Sequence, residues 1–382
     1  MAASHQRSAG VYGAEQRVEE YRPSPAAFFA AIVAVAAVYV YFLIFAQFGF
    51  LKAVQAVTGP AGAGLKPIMA VMALGGVLGS AAAGRRFKLE QARSWLAGSL
   101  AVCALAAGVA AMWHHVAGLV VAAALTGGGL GVATVSLASS LRRAVGGDQL
   151  GGCIGWGTGV AYALCNVPAL FAAGARGQAL FGVMAACVGM IAARGLDLRA
   201  PLVQARGFDY ERKGVVAWVL VFLALVWLDS GAFYIIQHTE GLKAGTWGDG
   251  RLYANAFVHL ASAVLAGYAL DRRRVGWVVA VAAGLLLAAC ALIDESYRAF
   301  AEGALLYTAG VSLYSSALVF YPARSARPGL AAAVYGVAGW IGSGLGIGMA
   351  ENLREVPAWF MIVAGAVVAS ALTTRKLLSR NG

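Results

Sequence analysis

The chain predicts an all-α integral membrane protein, with twelve transmembrane helices in two pseudo-symmetric six-helix bundles. Three observations carry this expectation. Of its 382 residues, 60% are hydrophobic and only 12% are charged, about half the charged share of a soluble chain. The apolar residues are gathered into twelve runs, each near the ~20 residues that cross a bilayer as a helix. Short motifs of the first six runs return in the last six, the mark of an internal repeat.

The runs fall at 25–51, 66–84, 93–112, 115–140, 149–174, 177–194, 214–238, 251–270, 276–294, 299–320, 329–350 and 356–374. Within each, apolar residues are continuous and do not alternate, which suits helices and not barrel strands. Of the 29 Lys and Arg, 22 fall in segments on the N-terminal side of this threading. Cytoplasmic loops collect such residues, so both termini are expected inside a bacterial inner membrane. The net charge of +12 then follows from topology, and no nucleic-acid partner is expected.

The longest polar inner segment after the N-terminal tail lies between the sixth and seventh runs. The expected organisation is a tail over 1–24, a bundle over 25–194, a linker over 195–213, a second bundle over 214–374 and a tail over 375–382. The first tail is polar to about Arg22 and lacks a signal-peptide pattern. "SLASS" at 136–140 recurs as "SLYSS" at 312–316, and "GWGTG" at 155–159 as "GWIGSG" at 339–344. "QFGFLK" at 47–52 recurs as "QHTEGLK" at 237–243, an offset of 190 residues.

The five cysteines all sit in apolar stretches, without metal spacing. The Met69/Met72 and His114–His115 pairs are weak metal signals, better read as packing and as a helix end. The chain has no phosphate-binding loop, nucleotide fingerprint or triad pattern. It is therefore expected to be no enzyme, to carry no metal or other cofactor, and not to be an ATP-driven pump.

"LAGYALDRRRV" closes the eighth run with Gly267, Asp271 and Arg272, a Gly-x-x-x-Asp-Arg pattern. "LGSAAAGRRF" is its upstream relative, with Gly84 in place of the aspartate. With the twelve runs and the six-plus-six repeat, this pattern resembles the major facilitator superfamily along essentially the whole chain. The resemblance implies a secondary transporter that rocks between two bundles. It implies a cavity lined by spans 1, 4, 7 and 10, with spans 2, 5, 8 and 11 on the moving sides. It also implies that Asp271 faces the start of span 5 near Gly151 and Gly152, as an inner gate with Gly267 and Arg272. A carboxylate there would accept backbone N–H groups at a helix start. Gly84 offers no such lock to span 11.

Ionisable groups at bilayer depth mark pathways. Asp229 lies about 20 Å up the seventh run and His259 about 17 Å up the eighth. Their matched depth makes them the candidate proton-coupling pair, against the reading of a structural hydrogen bond. Tyr41, Gln47, Asn166, Tyr234, Gln237, Tyr307 and Tyr314 are the candidate cavity-lining groups for a small-molecule substrate; Tyr39 offers a further hydroxyl. Each is also of a type frequent between helices. Lys52, Lys66, Lys243 and Arg251 flank two related outer loops. They are a candidate basic ring at the outer mouth, steering an anionic solute, or simply snorkelling residues. Glu302 lies four residues after Arg298, an i,i+4 pair.

The expected function is proton-coupled transport of a small solute, anionic by preference, by a monomer in the lipid bilayer. Two alternatives stay open. One is a non-transporting protein of this fold serving as assembly factor or accessory subunit of a membrane complex. The other is a passive facilitator.

Overall fold

The computed structural model describes residues 23–59, 65–201, 207–248, 250–295 and 300–378. Among the described residues regular structure is helical throughout. Twelve helices follow the twelve apolar runs: α1 Pro25–Thr58, α2 Leu65–Arg86, α3 Ala92–Met112, α4 Val116–Val145, α5 Leu150–Cys165, α6 Ala175–Gly195, α7 Arg212–His238, α8 Arg251–Asp271, α9 Val275–Glu295, α10 Phe300–Ser325, α11 Pro328–Leu353 and α12 Ala358–Leu378. Eleven are long and apolar enough to cross a membrane, and α5 is a shorter apolar helix. Large apolar side chains such as Leu78, Leu105, Ile191, Phe257 and Ile362 are exposed on the outside, as lipid contact requires. The end of the bundle that holds Pro25 and Leu378 is termed proximal here, and the opposite end distal.

Local chemistry sets the helix ends. Ser24 caps α1 by accepting the Ala27 N–H at 3.2 Å, with Pro25 in the first turn. His115 caps α4, its Nδ1 accepting the Gly118 N–H at 3.0 Å. That is the helix-end role expected of the His114–His115 pair. The fifth run, expected to be continuous to 174, is instead broken. Helix α5 stops at Cys165, and Pro168 opens a separate short helix to Phe171. Proline lacks an N–H and bars its predecessor from helical geometry. The seventh run ends at His238, as expected, and Thr239 leads into a separate short helix, Glu240–Trp247.

Two helices widen locally. The stretches Tyr41–Gly49 of α1 and Val334–Ile341 of α11 are π-helical, a geometry that is frequent at functional sites.

The halves α1–α6 and α7–α12 meet along two seams, α5 against α8 and α2 against α11. Small residues bring the backbones together. A Cβ on Gly151 would lie 2.4 Å from the Gly267 carbonyl, and one on Gly155 would lie 2.5 Å from the Ala263 carbonyl. On the other seam, Gly76 leaves the space that the Trp340 ring fills, and a Cβ on Gly84 would lie 2.5 Å from that of Ala332. Gly84 therefore does more than fail to lock: it lets α2 lie against the start of α11.

The linker is held at both of its described ends. The Leu196 carbonyl accepts from Arg93, and the Leu198 carbonyl from Arg143. On the other side Asp209 accepts the Trp218 Nε1–H at 2.9 Å and pairs with Arg375 at 3.1 Å. Tyr321 donates to the Asp209 carbonyl at 2.5 Å.

Candidate functional site

The seams and the faces between them carry polar side chains at three levels. At the proximal end, Asp271 closes α8 and reaches the first turn of α5. Its Oδ1 accepts the Gly151 N–H at 2.5 Å and its Oδ2 the Gly152 N–H at 2.7 Å. These N–H groups have no partner inside their own helix, and the carboxylate sits at the positive end of the helix dipole. Gly267 and Gly151 make this approach possible. Arg272 takes no part in it: it is exposed and donates back to the Tyr268 carbonyl at 3.2 Å. Arg142 of α4 adds a second proximal contact between halves, donating to the Arg324 carbonyl of α10 at 2.5 Å.

At mid-depth, Asp229 of α7 is gripped by two tyrosines of α10. Tyr307 donates to its Oδ1 at 2.6 Å, and Tyr314 donates to its Oδ2. Both carboxylate oxygens are thus engaged. His259 of α8 turns to a different partner, Ser312 of α10, at 2.6 Å. The two groups of the expected coupling pair thus engage α10 separately, with no ion pair between them among the described residues. Two of the seven expected cavity residues, Tyr307 and Tyr314, meet at this point.

The first half closes over this cluster. The Tyr162 ring of α5 stacks on His259, with centroids 4.4 Å apart and planes at 11°. The Tyr162 hydroxyl bonds Ser315 Oγ at 2.9 Å, and Thr158 bonds Ser316 at 3.0 Å. Tyr39 of α1 reaches the Ser315 carbonyl at 3.4 Å. Ser312, Ser315, Ser316, Tyr162 and Thr158 were absent from the expected site. Four of them lie in the repeated stretches, Ser312, Ser315 and Ser316 in "SLYSS" and Thr158 in "GWGTG", which the sequence marks only as duplication; Tyr162 lies outside both.

Other expected cavity groups lie elsewhere. Tyr41 is fully buried inside the first half, donating to the Cys103 carbonyl of α3 at 2.8 Å. Asn166 caps the end of α5, its Nδ2 donating to the Tyr162 carbonyl at 2.9 Å. Tyr234 stacks on His238 at 4.0 Å. Gln47 and Gln237 are half-buried, and Gln237 Oε1 is an acceptor without a partner.

At the distal end an aromatic cluster joins the halves. Phe48 lies 5.5 Å from Phe233 and 5.9 Å from Trp247, and Phe171 lies 6.0 Å from Trp247. The four expected mouth cations do not form a free ring. Lys52 donates to the Phe171 and Ala173 carbonyls at 3.3 and 3.0 Å, within its own half. Lys66 pairs with Glu351 of α11 at 3.2 Å, across the α2–α11 seam. Lys243 and Arg251 are exposed. Glu302 is described and exposed, whereas Arg298 lies outside the described residues. No group of three or more metal-ligating side chains occurs among the described residues.

No protein-family model matches the chain, and neither does any curated protein sequence. Solved structures do match in shape. The transporter FucP in the outward conformation gives a TM-score of 0.64 at 14% identity, over 92% of this chain and 98% of that one. The human organic anion transporter MFSD10 gives 0.63 at 13% identity, over 94% and 99%. A bacterial homologue of the iron transporter ferroportin, outward-facing with soaked iron, gives 0.61 at 14% identity, over 93% and 98%. Twelve helices, two packed halves and near-complete overlap give this chain the fold of the major facilitator superfamily.

Proposed function

We infer that the protein moves a small solute across a membrane by rocking its two halves, with Asp229 carrying the coupled proton. One observation carries this reading: the Asp229 carboxylate lies at mid-depth beside the contact between the halves and, among the described residues, is held by two tyrosine hydroxyls. A charge at that depth is costly and is kept where it works. It can trade its proton as the contacts over it open and close. The contacts that cover it join the halves, so opening them exposes the carboxylate. The match to transporters of the same fold supports the reading, although fold alone assigns no function.

The filling between the halves is polar, built of tyrosines, serines and one histidine, which favours transport over a passive accessory role. The anion preference rests on Lys243, exposed and close enough to Lys52 for their charges to repel, and on the exposed Arg251. Lys52 and Lys66 are engaged at the distal end. Solute-dependent movement of protons in proteoliposomes, with an imposed pH gradient and solutes of each charge class, tests the proposal. Proton flux that needs solute and disappears in Asp229→Asn is expected. Flux unchanged in that variant would sink the role given to Asp229.

A further inference from the structure

We propose that the outer surface of the first half holds one anionic phospholipid of the proximal leaflet. One acyl chain lies in a groove between α2, α3 and α4, and the phosphate sits at the turn between α2 and α3. The site is separate from the contact between the halves, and the proposal holds whether or not the protein transports.

The groove has a volume of about 500 Å³. Gly79 of α2, Trp95 and Gly98 of α3 and Gly128 of α4 line it. From Ser94 to Val102 it runs about 12 Å along α3, within the ~15 Å of hydrocarbon in one leaflet. Leu105, two turns beyond Gly98 on the same face of α3, is exposed. This surface therefore meets lipid, and what enters the groove comes from the bilayer.

The glycines are the first sign of an occupant. A glycine inside a helix is less stable than an alanine there, and close approach of backbones is the usual reason for one. Gly79 has that reason, since a Cβ on it would lie 2.5 Å from the Gly128 carbonyl. Gly98 and Gly128 do not, because a Cβ on either meets nothing within 4 Å. They open space that no described side chain fills, and an unfilled space forfeits contacts along its lining. An acyl chain laid along α3 restores them.

Charge at the proximal end is the second sign. Helix α2 ends in Arg85 and Arg86, and Lys88 follows in the turn. Arg86 lies two turns from Gly79 on the same face of α2. The Phe87 ring, between these cations in sequence, packs on Trp95 at 6.3 Å and so fixes the turn at the groove mouth. All three cations are exposed, and none forms an ion pair among the described residues. Glu90 is the one carboxylate of the turn, so the balance is positive. Gln91 and Ser94 add an exposed amide and hydroxyl on the groove. Arg93 is turned away to the Leu196 carbonyl. Basic pockets between membrane helices bind anionic headgroups. A zwitterionic headgroup would bring its own cation to a turn already rich in them.

The test uses the full chain in phosphatidylcholine nanodiscs doped with phosphatidylglycerol that carries a diazirine in its acyl chain. After irradiation, peptides over 94–102 and 128–132 are expected to take about tenfold more label than the lipid-facing α12. Phosphatidylcholine with the same diazirine chain is expected to label them about tenfold less than phosphatidylglycerol does. Both readouts use the unmodified chain. Gly98→Leu with Gly128→Leu fills the groove and is expected to abolish the excess label while the rest of the pattern stands. Arg86→Gln with Lys88→Gln is expected to erase the difference between the two lipids. Label spread evenly over the lipid-facing helices, equal labelling of the unmodified chain by phosphatidylcholine or by a diazirine fatty acid, or an excess that survives the leucine variant overturns the proposal.

Discussion

Asp271 and Gly151 belong to different halves, and the Oδ1 of one accepts the backbone N–H of the other at 2.5 Å. With the Gly152 contact, this is the charged lock between α8 and α5. Hydrogen bonds to a charged group contribute about 1.5–3 kcal/mol each. Asp271→Ala should therefore open the proximal side at least tenfold more often. The readout is the thiol-labelling rate of Ala323→Cys, a fully buried position near the proximal end of α10, in a background freed of the native cysteines. An unchanged rate would remove the lock from the mechanism.

The glycines of the seams should respond by position and not by type. Gly267→Ala drives a methyl to 2.5 Å from the Gly151 carbonyl, and Gly84→Ala drives one to 2.5 Å from Ala332. Overpacking of this kind costs about 1–3 kcal/mol. Gly98→Ala meets nothing within 4 Å and should leave the melting temperature unchanged or slightly raised. Equal melting temperatures for all three variants would contradict the seam geometry.

Tyr307 and Tyr314 share one carboxylate. Replacing either by Phe leaves Asp229 with one donor, at a cost of about 1.5–3 kcal/mol. Replacing both leaves neither hydroxyl on the carboxylate. The double variant should lose more stability than the two single losses added, because an unsatisfied buried charge is disproportionately expensive. Simple additivity in thermal unfolding would mean that water already satisfies the group.

The distal ion pair should behave differently. Lys66 is 70% exposed and its partner Glu351 30%. Pairs this open are worth about 0–1 kcal/mol and weaken with salt. Lys66→Ala should shift distal labelling of a Phe233→Cys reporter less than threefold, and the shift should vanish in high salt.

Asp209 ties the linker to Trp218, Tyr321 and Arg375. Asp209→Ala should free the last turn of α12 and speed tryptic cleavage after Arg375 severalfold. Unaltered cleavage would show that α12 is held by its apolar face alone.

The helices were legible because continuous apolar runs leave a bilayer-spanning chain few options. The break at Pro168 is not legible from composition, because the apolar run continues past the proline. The Asp271 lock was legible through its motif, but Arg272 of the same motif is a local end group. Of the two span-1 tyrosines the sequence offers, Tyr41 turns into its own half and Tyr39 reaches α10. The π-helical stretch that starts at Tyr41 changes the residues per turn, so a 3.6-residue period cannot assign faces beyond it. The serines of "SLYSS" were silent for another reason. A helical serine often bonds the carbonyl one turn back, as Ser139 and Ser140 do. Ser312 and Ser316 also donate to the carbonyl one turn back, and only the packing of α5 and α8 against α10 adds their partners across helices.

Two of the polar contacts between the halves stand on a diagonal. Asp271 fastens the proximal end of the α5–α8 seam, and Lys66 with Glu351 fastens the distal end of the α2–α11 seam. They are also of unequal strength, a half-buried carboxylate on two amides against a solvent-washed ion pair. In the proposed rocking cycle the distal latch is the less costly to break and Asp271 the more costly, so the latches alone bias the halves toward distal opening, while the cluster of Phe48, Phe171, Phe233 and Trp247 opposes it.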